Sequence, residues 1–155
     1  MSDELIKQVI ILRKDLNMRK GKMAAQSAHA SMKIFFDRIA CLERHYDDSM
    51  HFKGDNPRDY HDMMIHITDD MRKWVEGEFT KVVLSVKDEE NLLAIFNLAH
   101  SANLPCSLIT DAGKTEFDGV PTHTAIAIGP AQASEIDAIT GPESELYKSG
   151  VLSLL

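Results

Sequence analysis

LNMRKGKMAAQSAHASMKI, residues 16 to 34, joins a cationic cluster to an alanine-rich helical pattern without a break. The cations are Arg13, Lys14, Arg19, Lys20 and Lys22. Apolar side chains at Ala25, Ala28, Met32, Phe35, Phe36 and Ile39 recur at helical spacing and predict the core-facing stripe of a helix that continues to about Glu43. Lys22, Gln26, His29 and Lys33 fall on another stripe, so the helix carries a polar row from its first turn. Helix N-termini carry partial positive charge and favour acids, whereas this one opens with Arg19, Lys20 and Lys22. Breaches of a local preference concentrate at functional sites. Free N–H groups with added cations suit a phosphate or a developing oxyanion. A solvated basic turn beside a core helix is the plainer reading of the same residues.

Upstream, residues 8 to 13 (QVIILR) form a short β-branched run that predicts a buried first strand, and residues 14 to 20 form the loop feeding the helix. The turn from the C-terminal end of a strand into a helix is where open α/β sheets place their ligands. Downstream, residues 45 to 67 hold four His, several Asp, Gly54 and Pro57 with no sustained period, and read as an irregular acidic insertion. Asp47 with His51 and Asp62 with His66 are its only helical pairings, and Pro57 separates them, so a solvated loop is expected rather than a metal site. Residues 68 to 77 predict a short helix capped by Thr68 or Asp69, with Met71, Trp74 and Val75 inward and Gly77 at its end. Residues 81 to 86, 106 to 110 and 124 to 128 predict three more strands, the last stopped by Gly129-Pro130. Helices are expected after Asp88, to about Ala102, and over residues 131 to 140. Alternating strands and helices give an α/β layered domain with a largely parallel sheet, its last two strands joined locally.

Composition bounds the function. The length of 155 residues suits one domain with a single core, taken here as residues 1 to 155 with an insertion at about 45 to 67. No apolar run is long enough for a membrane span. The start MSDELIKQVIIL lacks the pattern of a secretory signal, and Cys41 and Cys106 are too few and scattered for a disulfide framework or zinc cluster, so a cytoplasmic location is expected. A net charge of −7 argues against nucleic acid, but its distribution is uneven. Residues 1 to 36 carry 7 Lys and Arg against 3 acids, residues 37 to 80 carry 6 against 11, and residues 81 to 155 carry 4 against 10. A basic patch on an acidic body can still steer an anion, with strong salt dependence.

A second polar concentration, TDAGKTEFDGVPTHTAIAIG, spans residues 110 to 129. Gly113-Lys114-Thr115 resembles the end of a phosphate-binding P-loop, but that motif needs a glycine where Leu108 stands, and no helix pattern follows. What remains is Asp111, Lys114 and several hydroxyls on a loop between two strands, for which a simple turn around Asp111 and Gly113 is the plain alternative. Cys106 sits within a strand pattern and the serines have no nucleophile-elbow context. If the chain is a hydrolase, its attacking group is a positioned water, with a carboxylate orienting or deprotonating it and Lys22 stabilising negative charge.

Three separated runs, RKGKMAAQSAHA, LPCSLITDAGKTEF and THTAIAIGPA, resemble in order the signatures of the archaeal and eukaryotic (type 2) peptidyl-tRNA hydrolase family. The resemblance covers most of the chain outside residues 37 to 67. It implies a single-domain α/β layered sandwich with a mixed four-stranded sheet flanked by helices. It also implies a homodimer that cleaves the ester between a peptide and the 3′ ribose of tRNA, with no metal or other cofactor. The family's catalytic lysine falls on Lys22, its aspartate and threonine in the D-A-G-x-T turn on Asp111 and Thr115, and the threonine opening its last strand on Thr124. Arg13, Arg19, Lys20, Gln26, His29 and Lys114 are then the expected contacts to the RNA 3′ end and acceptor stem, a structural hydrogen-bonded role being the alternative for Gln26 and His29. The chain departs from the family in its His-rich insertion, whose partner the sequence does not identify, and in its acidity. A binding module of the same fold and an esterase for a smaller acylated substrate are the rival readings.

Overall fold

The apolar run after Gln8 lies at the centre of the molecule. In the computed structural model, which describes residues 4 to 44 and 61 to 155, it forms β1 (Ile6–Arg13). Val9 and Ile11 point into one core while Ile10 and Leu12 point into another on the opposite face of the sheet. A strand covered on both faces needs no polar alternation, which is why its sequence reads as a continuous hydrophobic run.

The chain continues through α1 (Lys20–Phe36), β2 (Ile39–Arg44), β3 (His61–Ile65), α2 (Asp69–Glu76), β4 (Lys81–Val86), α3 (Glu89–Ser101) and β5 (Cys106–Asp111). It closes with β6 (Thr122–Gln132), α4 (Ala133–Thr140), α5 (Glu145–Lys148) and β7 (Leu152–Leu154). The main sheet has five strands in the order β5-β6-β1-β4-β7. The α1 and α2 side chains Ala30, Ile34 and Met71 pack on one face with Ala125 and Ala127, and those of α3 and α4, including Leu92, Ile95 and Ile136, pack on the other with Ile126 and Ile128. Strand β6 thus turns alanines toward α1 and isoleucines toward α3, and the small side chains leave room for α1 to lie close.

The mixed α/β class is as expected, and several details differ. Only β1 and β4 run parallel, while the β1–β6, β5–β6 and β4–β7 pairs are antiparallel, so the sheet is not largely parallel. Hydrophobic pattern marks a strand but carries no sign of its direction. A fifth strand, the three-residue β7, adds an edge beside β4, and it is too short to show a period. Strand β6 runs past Gly129-Pro130 to Gln132. Its register against β1 shifts between Lys7 and Val9, where the buried Gln8 amide donates to the Gly129 carbonyl at 3.2 Å. Gly129 has φ +89, and a Cβ there would meet the Lys7 carbonyl oxygen, so the irregularity requires glycine.

Helix α1 ends at Phe36 rather than near Glu43, since residues 39 to 44 form a two-stranded hairpin with β3, tied at its base by the His66 N–H to the Arg38 carbonyl at 3.0 Å. Strand β3 therefore falls within the stretch read as irregular, while Asp47, His51 and Pro57 lie outside the described residues. The buried stripe of α1 is Gln26, Ala30 and Ile34, and the apolar stripe read from spacing lies largely outside: Ala25, Ala28, Met32, Phe36 and Ile39 are exposed. Thr68 and Asp88 cap α2 and α3 as expected, accepting from the N–H groups of Met71 and Asn91. Met71 and Trp74 are buried, whereas Val75 faces out.

Candidate active site

The inner face of α1 is fastened to the sheet by polar side chains as well as by packing. Ser107 donates to the Ala30 carbonyl at 2.8 Å, and Ser31 donates to the Gln8 side-chain carbonyl at 2.6 Å. These bonds fasten the C-terminal half of α1 to the starts of β5 and β1, and the N-terminal turns of α1 then lie along the C-terminal end of β5. Lys22 and Gln26, one turn apart, thereby meet Asp111, the last residue of β5.

Lys22 Nζ donates to Asp111 Oδ1 at 2.7 Å and to Thr115 Oγ1 at 3.2 Å, with 12% of the lysine side chain and 15% of the aspartate exposed. Gln26 Nε2 donates to the same Oδ1 at 3.2 Å, and the Gly113 N–H donates to Oδ2 at 2.9 Å. Thr124, fully buried on β6, donates its hydroxyl to Gln26 Oε1. The Lys22 ammonium holds the Asp111 carboxyl below the ordinary carboxylate range against the opposing effect of burial, and Gly113 and Gln26 act in the same direction as Lys22. Asp111 is therefore an ionised, fully oriented acceptor at neutral pH.

The loop after β5 is shaped by backbone. Gly113 has φ +78, and a Cβ there would press on the Val120 backbone, while the Gly119 N–H returns to the Gly113 carbonyl at 2.9 Å. Phe117 and Asp118 take the left-handed conformation that side chains disfavour, at φ 69 and 52. This fold-back sets the Phe117 ring 5.6 Å from the Lys22 ammonium.

Together these elements bound a cleft of about 640 Å³ lined by Lys22, Gln26, His29, Asp111, Lys114 and Thr115, with Arg19 and Glu116 at its side. Among the expected site residues, Lys22, Asp111, Thr115, Gln26, His29, Lys114 and Arg19 are brought to this one cleft. Thr124 reaches it through Gln26 alone. Arg13 is held elsewhere: its side chain is only 10% exposed, its guanidinium binds Asp15 and the His123 carbonyl, and Glu89 lies at 3.4 Å. Lys20 is exposed on the first turn of α1 and does not line the cleft. Glu116, absent from the expected site, accepts from Arg19 Nε at 2.9 Å, and its only signal in the sequence was its place in the polar loop. Burial pushes the Cys106 thiol up, away from the thiolate that a nucleophile needs.

The family model "Peptidyl-tRNA hydrolase PTH2" matches residues 6 to 142 of the chain. The chain belongs to the peptidyl-tRNA hydrolase PTH2 family. It is 38% identical over 136 residues to a peptidyl-tRNA hydrolase of Methanocaldococcus jannaschii, covering 88% of this chain and 96% of that protein. The peptidyl-tRNA hydrolase of Halobacterium salinarum is 38% identical over 139 residues, and that of Metallosphaera sedula 37% over 136, each again covering 88% and 96%.

In this member of the peptidyl-tRNA hydrolase family, the cleft holds the Lys22 ammonium against Asp111 and Thr115. Among the described residues no group of three or more His, Cys, Asp or Glu is placed to hold a metal ion, and no helix is long and apolar enough to cross a membrane.

Proposed function

We propose that the chain hydrolyses the ester between a peptide and the 3′ ribose of tRNA by metal-independent attack of water, acting in the cytoplasm. The observation that carries this reading is the Lys22–Asp111 pair at 2.7 Å, set in a cleft whose rim bears further cations.

A carboxylate held low in pKa by an ammonium and two N–H donors is a weak base, so Asp111 orients the attacking water by accepting one of its hydrogen bonds. Lys22 spends two N–H groups on Asp111 and Thr115. The third is available to the oxyanion that develops on the ester carbonyl. Thr115 Oγ1 accepts from Lys22, which leaves its own proton for a substrate oxygen. Exposed Arg19, Lys20 and Lys114 are the phosphate contacts for the 3′ end, Arg19 exchanging its Glu116 partner for a phosphate.

The homodimer implied by the family fits an apolar face away from the cleft. Met32, Phe36, Val75 and Phe79 line a groove of about 230 Å³, and the hairpin next in the chain adds exposed Ile39, Leu42, Met63 and Met64. Exposed apolar side chains gathered in this way suit an interaction surface.

The test is release of N-acetylated amino acid from N-acetyl-aminoacyl-tRNA, run beside a small ester such as p-nitrophenyl acetate and repeated with EDTA. Hydrolysis of the tRNA ester alone, unchanged by EDTA, is expected. Cleavage of the small ester only, or of neither, would overturn the substrate; inhibition by EDTA relieved by added metal would overturn the water mechanism.

A further inference from the structure

The side chains that complete the coordination of Asp111 are buried, and the chemistry above assigns them no task. Gln26 is 1% exposed and Thr124 is 0% exposed, so the Thr124 hydroxyl does not face the cleft. Its one proton goes to Gln26 Oε1. The other end of the Gln26 amide meets Asp111 Oδ1 at 3.2 Å.

This chain of contacts has one consistent direction. An ionised carboxylate only accepts, so the Gln26 group facing it must be the NH2; the carbonyl then faces Thr124, which must donate. Turning the amide over would set Oε1 against Asp111 and the NH2 against a hydroxyl that no longer has a donor's role. Buried polar groups carry a high cost when a partner is lost, so each link enforces the next.

We propose that Gln26 is a positioning residue that fixes the plane of the Asp111 carboxylate, and that Thr124 acts on the reaction only through Gln26, by locking the orientation of its amide. With Oδ1 taken by Lys22 and Gln26 and Oδ2 by the Gly113 N–H, the remaining acceptor direction of Asp111 is fixed toward one water site. This deepens the reading of the cleft given above and rests on it for its effect on turnover. It places Thr124, a site residue expected from the family resemblance, behind the cleft.

The experiment compares Thr124→Val, Thr124→Ser, Gln26→Met and the double variant Gln26→Met/Thr124→Val with the unchanged chain. Two readouts are taken: kcat and KM on N-acetyl-aminoacyl-tRNA, and the titration of the Asp111 carboxyl followed by carbon NMR. Thr124→Val keeps the volume of the side chain, and circular dichroism checks that each variant is folded. Thr124→Val and Gln26→Met should each lower kcat by about tenfold or more with KM unchanged, and each should raise the Asp111 titration toward the ordinary carboxylate value. Thr124→Ser should restore both. The double variant should be no worse than Gln26→Met alone, since residues acting in series are not additive.

A raised KM with kcat intact in Thr124→Val, or losses that multiply in the double variant, would overturn the proposal and return Thr124 to direct substrate contact. An Asp111 titration unmoved by either single variant would overturn it whatever the turnover. The titration does not depend on the substrate, so a moved titration in a protein that cleaves no tRNA ester would sustain the positioning role and reject the proposed function.

Discussion

Helix α1 turns Gln26 and Ser31 toward the sheet and Met32 and Phe36 toward solvent, so its inner side is partly polar and its outer side apolar. Each inward polar group has its partner in place: Gln26 has Asp111 and Thr124, and Ser31 has Gln8. The cost of burying them is offset by those bonds. Met32 and Phe36, 51% and 42% exposed, line an open groove instead. The difference teaches that burial along this helix follows the partners available on the sheet and not the polarity of the residue. In the proposed function the inner side serves chemistry and the outer side association.

The comparison breaks first at the cleft. Lys22→Ala and Asp111→Asn should each lower turnover by about a hundredfold or more with the fold retained, as for a lost charge-stabilising or water-orienting group. Cys106→Ala, in the same strand as Asp111, should leave turnover unchanged. A dead Cys106 variant beside an active Asp111 variant would refute the water mechanism.

Urea unfolding sharpens the contrast between the two sides. Ile34→Ala, which empties a site only 2% exposed, should cost about 2–4 kcal/mol of stability. Met32→Ala should stay within about 0.5 kcal/mol in the isolated chain. Phe36→Glu should shift sedimentation from dimer to monomer; a chain that sediments as a monomer throughout would leave the outer side without its proposed task.

The pH dependence follows from the sign of the Asp111 shift. Its pKa is lowered in the folded protein, so the stabilisation from its pairing is present above the ordinary carboxylate pKa and is lost as pH falls through the lowered value. The acid limb of kcat should accordingly lie below about pH 4, the ordinary aspartate value, and turnover should be flat on the acid side down to that region. An acid limb near pH 6 would mean that a group other than ionised Asp111 controls the reaction.

The smallest effect concerns the rim. With Arg19, Lys20 and Lys114 exposed and the whole chain at −7, affinity for a non-hydrolysable acylated tRNA should fall with salt at a log–log slope of roughly −2 to −3. Arg19→Ala or Lys20→Ala should flatten that slope by about one contact. Arg13→Ala should not, because its guanidinium is held by Asp15 and the His123 carbonyl. A salt-independent affinity would remove tRNA as the ligand.

Much of the architecture was legible in the linear pattern. The run through Val9, Ile10, Ile11 and Leu12 and the Thr68 and Asp88 caps report on neighbours within a few residues, and they appear where spacing puts them. Spacing alone misplaces the α1 stripe, because alanine, methionine and phenylalanine at helical spacing say that a face is apolar without saying what covers it. The β2–β3 hairpin is not legible in the sequence because its two strands are separated by residues 45 to 60, so neither shows its partner nearby.

By itself the sequence determined the mixed α/β class, the buried central strand and, through three separated runs, the candidate residues Lys22, Asp111, Thr115 and Thr124. These depend on residue type and on short-range spacing. Only the tertiary structure decided that Thr124 lies behind Gln26, that Glu116 pairs with Arg19, that Arg13 is occupied elsewhere and that Asp111 is held ionised by Lys22. The physical reason is distance along the chain: Lys22 and Asp111 stand 89 positions apart, and Gln26 and Thr124 stand 98 apart. A hydrogen bond that fixes the direction of an amide or the charge of a carboxylate exists only once the sheet and α1 have brought both partners together.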